Sequence, residues 1–173
     1  GSQALYFPYR VGTAQEKPPR YLADTFLYSL LTTDKSPNTA GALKAGLTGD
    51  ADDKRLKAAL KTPPKVVFIL GAPFAHEVAV RQAVSRAELI VVLATLSSPW
   101  LELADVVLPG HTVAEKDGTF LNKAERLQRI RPAVEPPEGT RSQAQALATL
   151  LQRLGKGADY PTAQAVFEAM GQQ

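Results

Sequence analysis

The two histidines of this 173-residue chain are candidates for chemistry because of their type and their spacing from acidic residues. His111 and Glu115 lie four positions apart, a spacing that would place two metal ligands on one face of a helix. Glycine and proline residues on either side instead predict a loop, in which His111 caps the backbone or faces solvent. His76-Glu77 has the start of a zinc-protease motif, but Val80 occupies the place of the second histidine. We therefore expect no metal site.

Other common catalytic signatures are absent from the sequence. It has no Gly-x-Ser-x-Gly turn to present a nucleophile, no Gly-x-Gly-x-x-Gly loop and no Gly-Lys-Ser/Thr phosphate loop. It also has no cysteine. The chain therefore lacks a thiolate that could bind zinc, an iron–sulfur cluster or molybdenum. The missing motifs disfavour a hydrolase and a protein that binds nucleotides through a phosphate loop.

A loop of small residues is the remaining candidate. Residues 65–70 and 89–93 form apolar runs typical of buried strands, and the helical pattern between them predicts a βαβ unit with parallel strands. Gly71, Ala72 and Pro73 then form a loop at the carboxyl end of the first strand. Doubly wound sheets bind ligands at this position, so we expect the loop to line a crevice.

The elements further along the chain extend this sheet. Asp105 opens a third strand at residues 106–108, whose apolar side chains we expect to fill the sheet interior, and Pro109 ends it because proline has no N–H to donate. Asp117-Gly118 predicts a chain reversal in which Gly118 takes a positive φ. Helices are expected at residues 142–154 and 161–170, after an extended segment at residues 126–134.

The predicted fold class is α/β, with a short, mostly parallel sheet flanked by helices and a helical N-terminal segment. Residues 1–2 are typical of a cloning remnant. Residues 3–64, which include a helical pattern at residues 21–31, are expected to pack on the main α/β domain of residues 65–173.

The charge balance favours no particular class of partner. The net charge of +3 is too small to predict nucleic acid binding. One basic segment could hold phosphate or an acidic partner, although a solvated strand edge is the favoured interpretation. Its residues are Lys123, Arg126, Arg129 and Arg131. No apolar run approaches the roughly 20 residues that span a bilayer, and no secretory signal pattern is present at the N-terminus.

Three ordered segments form the most specific pattern in the sequence: ADVVLP at residues 104–109, AEKDGTFLN at residues 114–122 and RLQRIRPAV at residues 126–134. They resemble the block near the end of the third domain of molybdopterin oxidoreductases, which commonly reads ADVVLP, AEKDGTFTN and RVQRVRPAV. The resemblance covers roughly residues 65–155. It is closest to the C-terminal part of the large iron–sulfur subunit, also called the G subunit, of NADH-quinone oxidoreductase (complex I).

The resemblance implies which residues would face a pterin guanine dinucleotide, the cofactor of this family. They are Gly71, Ala72 and Pro73 after the first strand, and Ala94 and Ser98 after the second. Cofactor-binding relatives commonly continue the second strand as QDIFLTET, whose Asp can accept hydrogen bonds from guanine. Ala94 occupies that position, and the lost partner is worth about 1.5–3 kcal/mol. We therefore expect these positions to be vestigial and the chain to hold no cofactor.

Two functions follow from the resemblance. The first is a non-catalytic structural or assembly domain of the large iron–sulfur subunit of complex I, cytoplasmic and peripheral to the inner membrane, in contact with other domains of that subunit and with other peripheral-arm subunits. Flavin and iron–sulfur clusters would then lie in those domains or subunits. The alternative is the cofactor-binding domain of a formate dehydrogenase-like enzyme, with the pterin dinucleotide bound. A weaker third possibility is a degenerate domain that binds a different nucleotide or only a protein partner.

Overall fold

The computed structural model describes residues 6–8, 38–45, 48–50, 58, 60–62, 65–72, 77–122, 124–156 and 162–171. The chain divides into two compact units, Gly1–Leu56 and Lys57–Gln173. The described elements of the first unit are β1 (Tyr6–Pro8), α1 (Thr39–Lys44) and β2 (Thr48–Asp50), and β1 pairs with β2 in parallel. The helix predicted at residues 21–31 lies outside the described residues.

The second unit is built on a parallel sheet with the strand order β3-β4-β5. These strands are β3 (Val66–Leu70), β4 (Leu89–Ala94) and β5 (Val106–Pro109). The helix α2 (Val78–Val84) joins β3 to β4 and buries two of its valines. The α/β fold class and the parallel βαβ unit predicted from the sequence are therefore confirmed.

The core is centred on β4, which has a neighbouring strand on each side. Its residues 90–94 are all buried, and Trp100 in the following turn is only 2% exposed. Apolar side chains on both faces of a central strand are buried by the layers that cover it. The prediction that the second strand is a buried one is confirmed.

The two outer strands are more exposed than predicted. Val106, Val107 and Leu108 of β5 are 38–47% exposed, so the prediction that they fill the sheet interior is wrong. The reason is that β5 pairs with β4 alone among the described strands, which leaves its other edge and much of its side-chain surface uncovered. On β3, Phe68 and its neighbours at alternate positions are also exposed, so that strand is not covered on both faces.

An antiparallel hairpin follows the sheet and consists of β6 (Gly118–Leu121) and β7 (Leu127–Ile130). The chain reverses between these strands, where Glu125 takes a φ of 58° and Asn122 Oδ1 accepts hydrogen bonds from two backbone N–H groups. The predicted reversal at Asp117-Gly118 is therefore wrong. Gly118 opens β6 and is not among the positive-φ glycines of the described residues.

Two helices complete the described part of the second unit, and both were predicted. The helix α3 (Gln143–Arg153) begins with a capping box, in which Ser142 and Gln145 each accept the backbone N–H of the other. The helix α4 (Ala163–Gly171) lies against β6 and β7. No helix within the described ranges is long and apolar enough to cross a membrane.

Candidate ligand crevice at the carboxyl edge of the sheet

The carboxyl ends of β3, β4 and β5 meet at one edge of the sheet because the three strands run parallel. The Gly71 N–H donates to the carbonyl of Leu93 at 2.8 Å, and the Gly110 N–H donates to the carbonyl of Ala94 at 2.8 Å. These bonds place Gly71 and Ala94 at the same edge. The loops that follow the three strands can therefore form a shared crevice there.

The loop after β3 exposes its backbone. Gly71 has a φ of 82°, and no heavy atom of the described residues lies within 4 Å of the position that a Cβ would occupy. Ala72 is exposed, and Pro73 lies outside the described residues. A ligand can thus approach the Gly71 backbone closely, and a side chain at this position would be strained.

The two family-derived positions at the end of β4 and in the loop after it, Ala94 and Ser98, offer a ligand little. Ala94 is 9% exposed and carries only a methyl group. Ser98 is half-buried, and its Oγ is covered and has no hydrogen-bond partner within the described residues. Between them Leu96 presents an exposed apolar side chain. Neither Ala94 nor Ser98 therefore supplies an accessible side-chain acceptor, and the exposed hydroxyl of this loop is that of Ser97.

A pterin guanine dinucleotide fits these residues poorly. Among Gly71, Ala72, Pro73, Ala94 and Ser98, the one side-chain polar atom is Ser98 Oγ, and it is covered. A guanine edge would find open backbone at Gly71 and a nearly buried methyl group at Ala94. Buried polar groups need hydrogen-bond partners, and the side chains at these five positions offer a guanine no accessible one.

Asp105 fixes the third strand at the opposite, amino-terminal edge of the sheet. Its Oδ2 accepts a hydrogen bond from the Ile90 N–H at 2.8 Å, and its own N–H donates to the Ile90 carbonyl at 3.0 Å. Ile90 is 4% exposed, so the carboxylate satisfies a backbone donor that water reaches poorly. Sequence reasoning assigned Asp105 only to the start of a strand and missed this bond. The available signal was an acidic residue directly before an apolar edge strand.

His111 follows β5 in a loop, as predicted, but it does not face solvent. The residue is 7% exposed, and its Nε2 has no hydrogen-bond partner within the described residues. Glu115 shares no helix with it. Instead, Glu115 Oε2 accepts the Thr112 N–H at 2.8 Å, and this backbone hydrogen bond is the main cause of the lowered pKa of Glu115. In the part of the chain that the structure describes, no cluster of three or more potential metal ligands occurs.

The basic segment is partly engaged in structural contacts. Arg129 Nε donates to Asp117 Oδ1 at 3.2 Å, and its terminal nitrogens donate to Asp117 Oδ2 and to Gln164 of α4. The bond from Arg129 is the main reason that the pKa of Asp117 is lowered. Arg126 and Arg131 are exposed, and Lys123 is outside the described residues. Arg129 therefore ties α4 to the hairpin.

Known proteins resemble this chain over most of its length. The family model for the molybdopterin oxidoreductase matches residues 24–153. The F420-dependent formate dehydrogenase 1 subunit alpha of Methanococcus maripaludis is 32% identical over 112 residues, which cover 60% of this chain and 16% of that protein. The assimilatory nitrate reductase of Haloferax mediterranei is 36% identical over 102 residues, or 57% of this chain and 14% of that protein.

An NADH-quinone oxidoreductase component is also among the relatives. The G subunit of NADH-quinone oxidoreductase from Streptomyces coelicolor is 42% identical over 79 residues, which cover 46% of this chain and 9% of that protein. The matches thus span less than a fifth of the length of these curated relatives.

Proposed function

The chain belongs to the molybdopterin oxidoreductase family, and from that premise we propose that it is a non-catalytic structural domain of the large iron–sulfur subunit of an NADH-quinone oxidoreductase. The observation that carries this proposal is the nearly buried Ala94 methyl at the crevice, where the family pattern places a carboxylate. The relative from Streptomyces coelicolor, which is the G subunit of such an enzyme, supports the same assignment. Family membership by itself assigns no activity.

In this role the domain contributes packing surface. Parallel register pairs Phe68 with Val91 and Leu93 with Leu108, so these side chains share one face of the sheet. Its exposed apolar members are Val66, Phe68, Leu70, Val106 and Leu108. Other domains of the same subunit are the proposed occupants of this face, because the relatives extend well beyond the matched region.

The electron-carrying groups belong elsewhere in this proposal. The chain has no cysteine with which to hold an iron–sulfur cluster. Flavin and clusters would lie in other domains or in other subunits of the peripheral arm, which would be the partners of this domain. The assembly would be peripheral to the inner membrane on its cytoplasmic side.

One observation favours a second candidate, the cofactor-binding domain of a formate dehydrogenase-like enzyme. The Gly71 backbone has a positive φ, and no described atom stands near the place of a Cβ. Glycine of this kind allows a ligand to approach the main chain. The relative from Methanococcus maripaludis is a formate dehydrogenase subunit.

A thermal-shift titration of the purified chain with GMP, GDP and a pterin guanine dinucleotide preparation separates the two candidates. A ligand at 100 times its Kd adds about 2.7 kcal/mol to the free energy of unfolding. For a chain of this size that raises Tm by roughly 5–10 °C. The structural role predicts no shift beyond that of an adenine nucleotide control. A saturable shift specific for guanine, abolished in Gly71→Ala, would overturn it in favour of the cofactor-binding domain.

A further inference from the structure

A cavity of about 450 Å³ lies beside α3, and none of Gly71, Ala72, Ala94 and Ser98, the family-derived crevice residues that the structure describes, lines it. One wall is the helix face formed by Gln145, Ala148, Thr149 and Gln152, whose spacing places them on one side of α3. The rest comes from His111 after β5 and from the loop before α3. It is open to solvent, with His111 as its one buried described lining residue, and its volume lies within the range of small-molecule sites.

The wall of this cavity is cationic and hydrogen-bonding. Among the lining residues that the structure describes, Arg141 carries a permanent positive charge and none is acidic. Glu135 and Glu138 belong to the preceding loop but do not line the cavity. An anion is therefore the ligand that this lining suits.

Arg141 is held in place but keeps most of its donors. Its Nη1 donates to Thr149 Oγ1 at 3.3 Å, which is its one side-chain hydrogen bond among the described residues. A guanidinium has five N–H donors in a planar fork that matches carboxylate and phosphate oxygens. The Thr149 hydroxyl donates in turn to the Gln145 carbonyl at 2.9 Å, so the group that accepts from Arg141 is itself hydrogen-bonded to the backbone of α3.

The cavity is attached to rigid structure. Gly110 and Arg141 form a parallel bridge between the end of β5 and the start of α3, and the Arg141 N–H donates to the Pro109 carbonyl at 3.4 Å. The capping box at Ser142 then fixes the first turn of α3. The backbone that carries Arg141 is thus ordered before a ligand binds, which lowers the entropic cost of binding.

His111 supplies a second, independent observation. His111 is one of the lining residues, and its buried Nε2 has no partner among the described residues. Native buried polar atoms are nearly always hydrogen-bonded, so this nitrogen has capacity for one more partner. Because Nε2 is covered, contact with a ligand oxygen requires the side chain to turn toward the cavity.

We propose that this cavity binds a small organic anion, with a carboxylate or phosphate monoester on a short carbon skeleton. Arg141 holds the oxyanion, and the His111 ring turns so that Nε2 becomes the second polar contact. Ala148 and Pro136 receive the carbon skeleton. The site is independent of the proposed structural role, because it uses none of the residues on which that role depends.

Isothermal titration of the chain with succinate and with glycerol 3-phosphate tests the proposal, with chloride at matched ionic strength as the blank. At least one probe should bind saturably, and Arg141→Gln should weaken it by about tenfold or more, as expected for one lost charge-assisted hydrogen bond. His111→Phe, which retains an aromatic ring, should weaken it by several-fold. Arg153→Gln, in the last turn of the same helix and outside the cavity wall, should leave affinity unchanged.

Three outcomes would overturn the proposal. The first is the absence of saturable binding to the unmodified chain. The second is unchanged affinity in either Arg141→Gln or His111→Phe, with folding verified by circular dichroism. The third is inorganic phosphate binding as tightly as both organic probes, which would reveal an adventitious ion only.

Discussion

Replacement of Asp105 by alanine tests how the edge strand is held. The variant removes the acceptor of the Ile90 N–H and leaves that donor in a residue that is 4% exposed. An unsatisfied buried donor costs about 1–3 kcal/mol, so we expect the free energy of unfolding to fall by about 2 kcal/mol. For a chain of this length, Tm should fall by roughly 4–8 °C. The backbone bond from Asp105 to Ile90 remains, so the strand should still pair.

Urea unfolding followed by Trp100 fluorescence measures this change, because the tryptophan is buried in the turn between β4 and β5. Asp105→Asn retains a carbonyl oxygen and should lose less than half as much stability as the alanine variant. Glu88→Ala is the matched control, since its ion pair with Lys65 is exposed and is worth at most about 1 kcal/mol. If Asp105→Ala unfolds at the same urea concentration as Glu88→Ala, the carboxylate does not hold β5 and our reasoning is refuted.

A carboxyl whose pKa is lowered by folding stabilises the fold above its unfolded pKa and loses that contribution as pH falls through the folded value. The unmodified chain should therefore have a higher free energy of urea unfolding than Asp117→Asn at about pH 7, and this difference should shrink below about pH 4. A difference that does not change with pH would contradict the pairing of Asp117 with Arg129. Ser142→Ala should lower Tm by roughly 2–4 °C, because a lost N-cap costs about 1 kcal/mol; an unchanged melting curve would show that the cap is dispensable. Ala94→Asp should destabilise the chain by several kcal/mol in thermal unfolding relative to Ala94→Ser, since it buries a carboxylate; equal stability would mean that the position is open to solvent.

The parallel sheet could be predicted because its determinants are local. The apolar run of β4 is continuous, which is typical of a strand covered on both faces, and its residues are indeed buried. The run Val106-Val107-Leu108 looks the same in sequence yet is exposed. A run of apolar side chains indicates that a strand can be buried, but it does not show whether another element of the fold covers that strand. Strand position within the sheet decides that, and it is a property of the whole fold.

Long-range contacts explain the other differences. Asp117-Gly118 is a common turn pair, but Asp117 is bonded across the hairpin to Arg129, and the reversal occurs at Asn122 instead. His111 directly follows Gly110, which forms a bridge with Arg141, a residue 30 positions after His111 in the chain. Neither contact leaves a short-range signature. The sequence was sufficient to predict that Gly71 and Ala94 lie at one edge of the sheet, because the strands before them run parallel. It was not sufficient to predict that the Ser98 hydroxyl is buried.

The most direct test of the central claim is an NMR titration of the labelled chain with GDP, in which the Gly71 amide and the Ala94 methyl are followed as reporters of the crevice. If the domain is structural and has no guanine site, both signals should stay in place up to millimolar ligand, as they should with ADP. Saturable movement of both signals at micromolar GDP, without an equal response to ADP, would show a functioning guanine site and contradict the structural assignment.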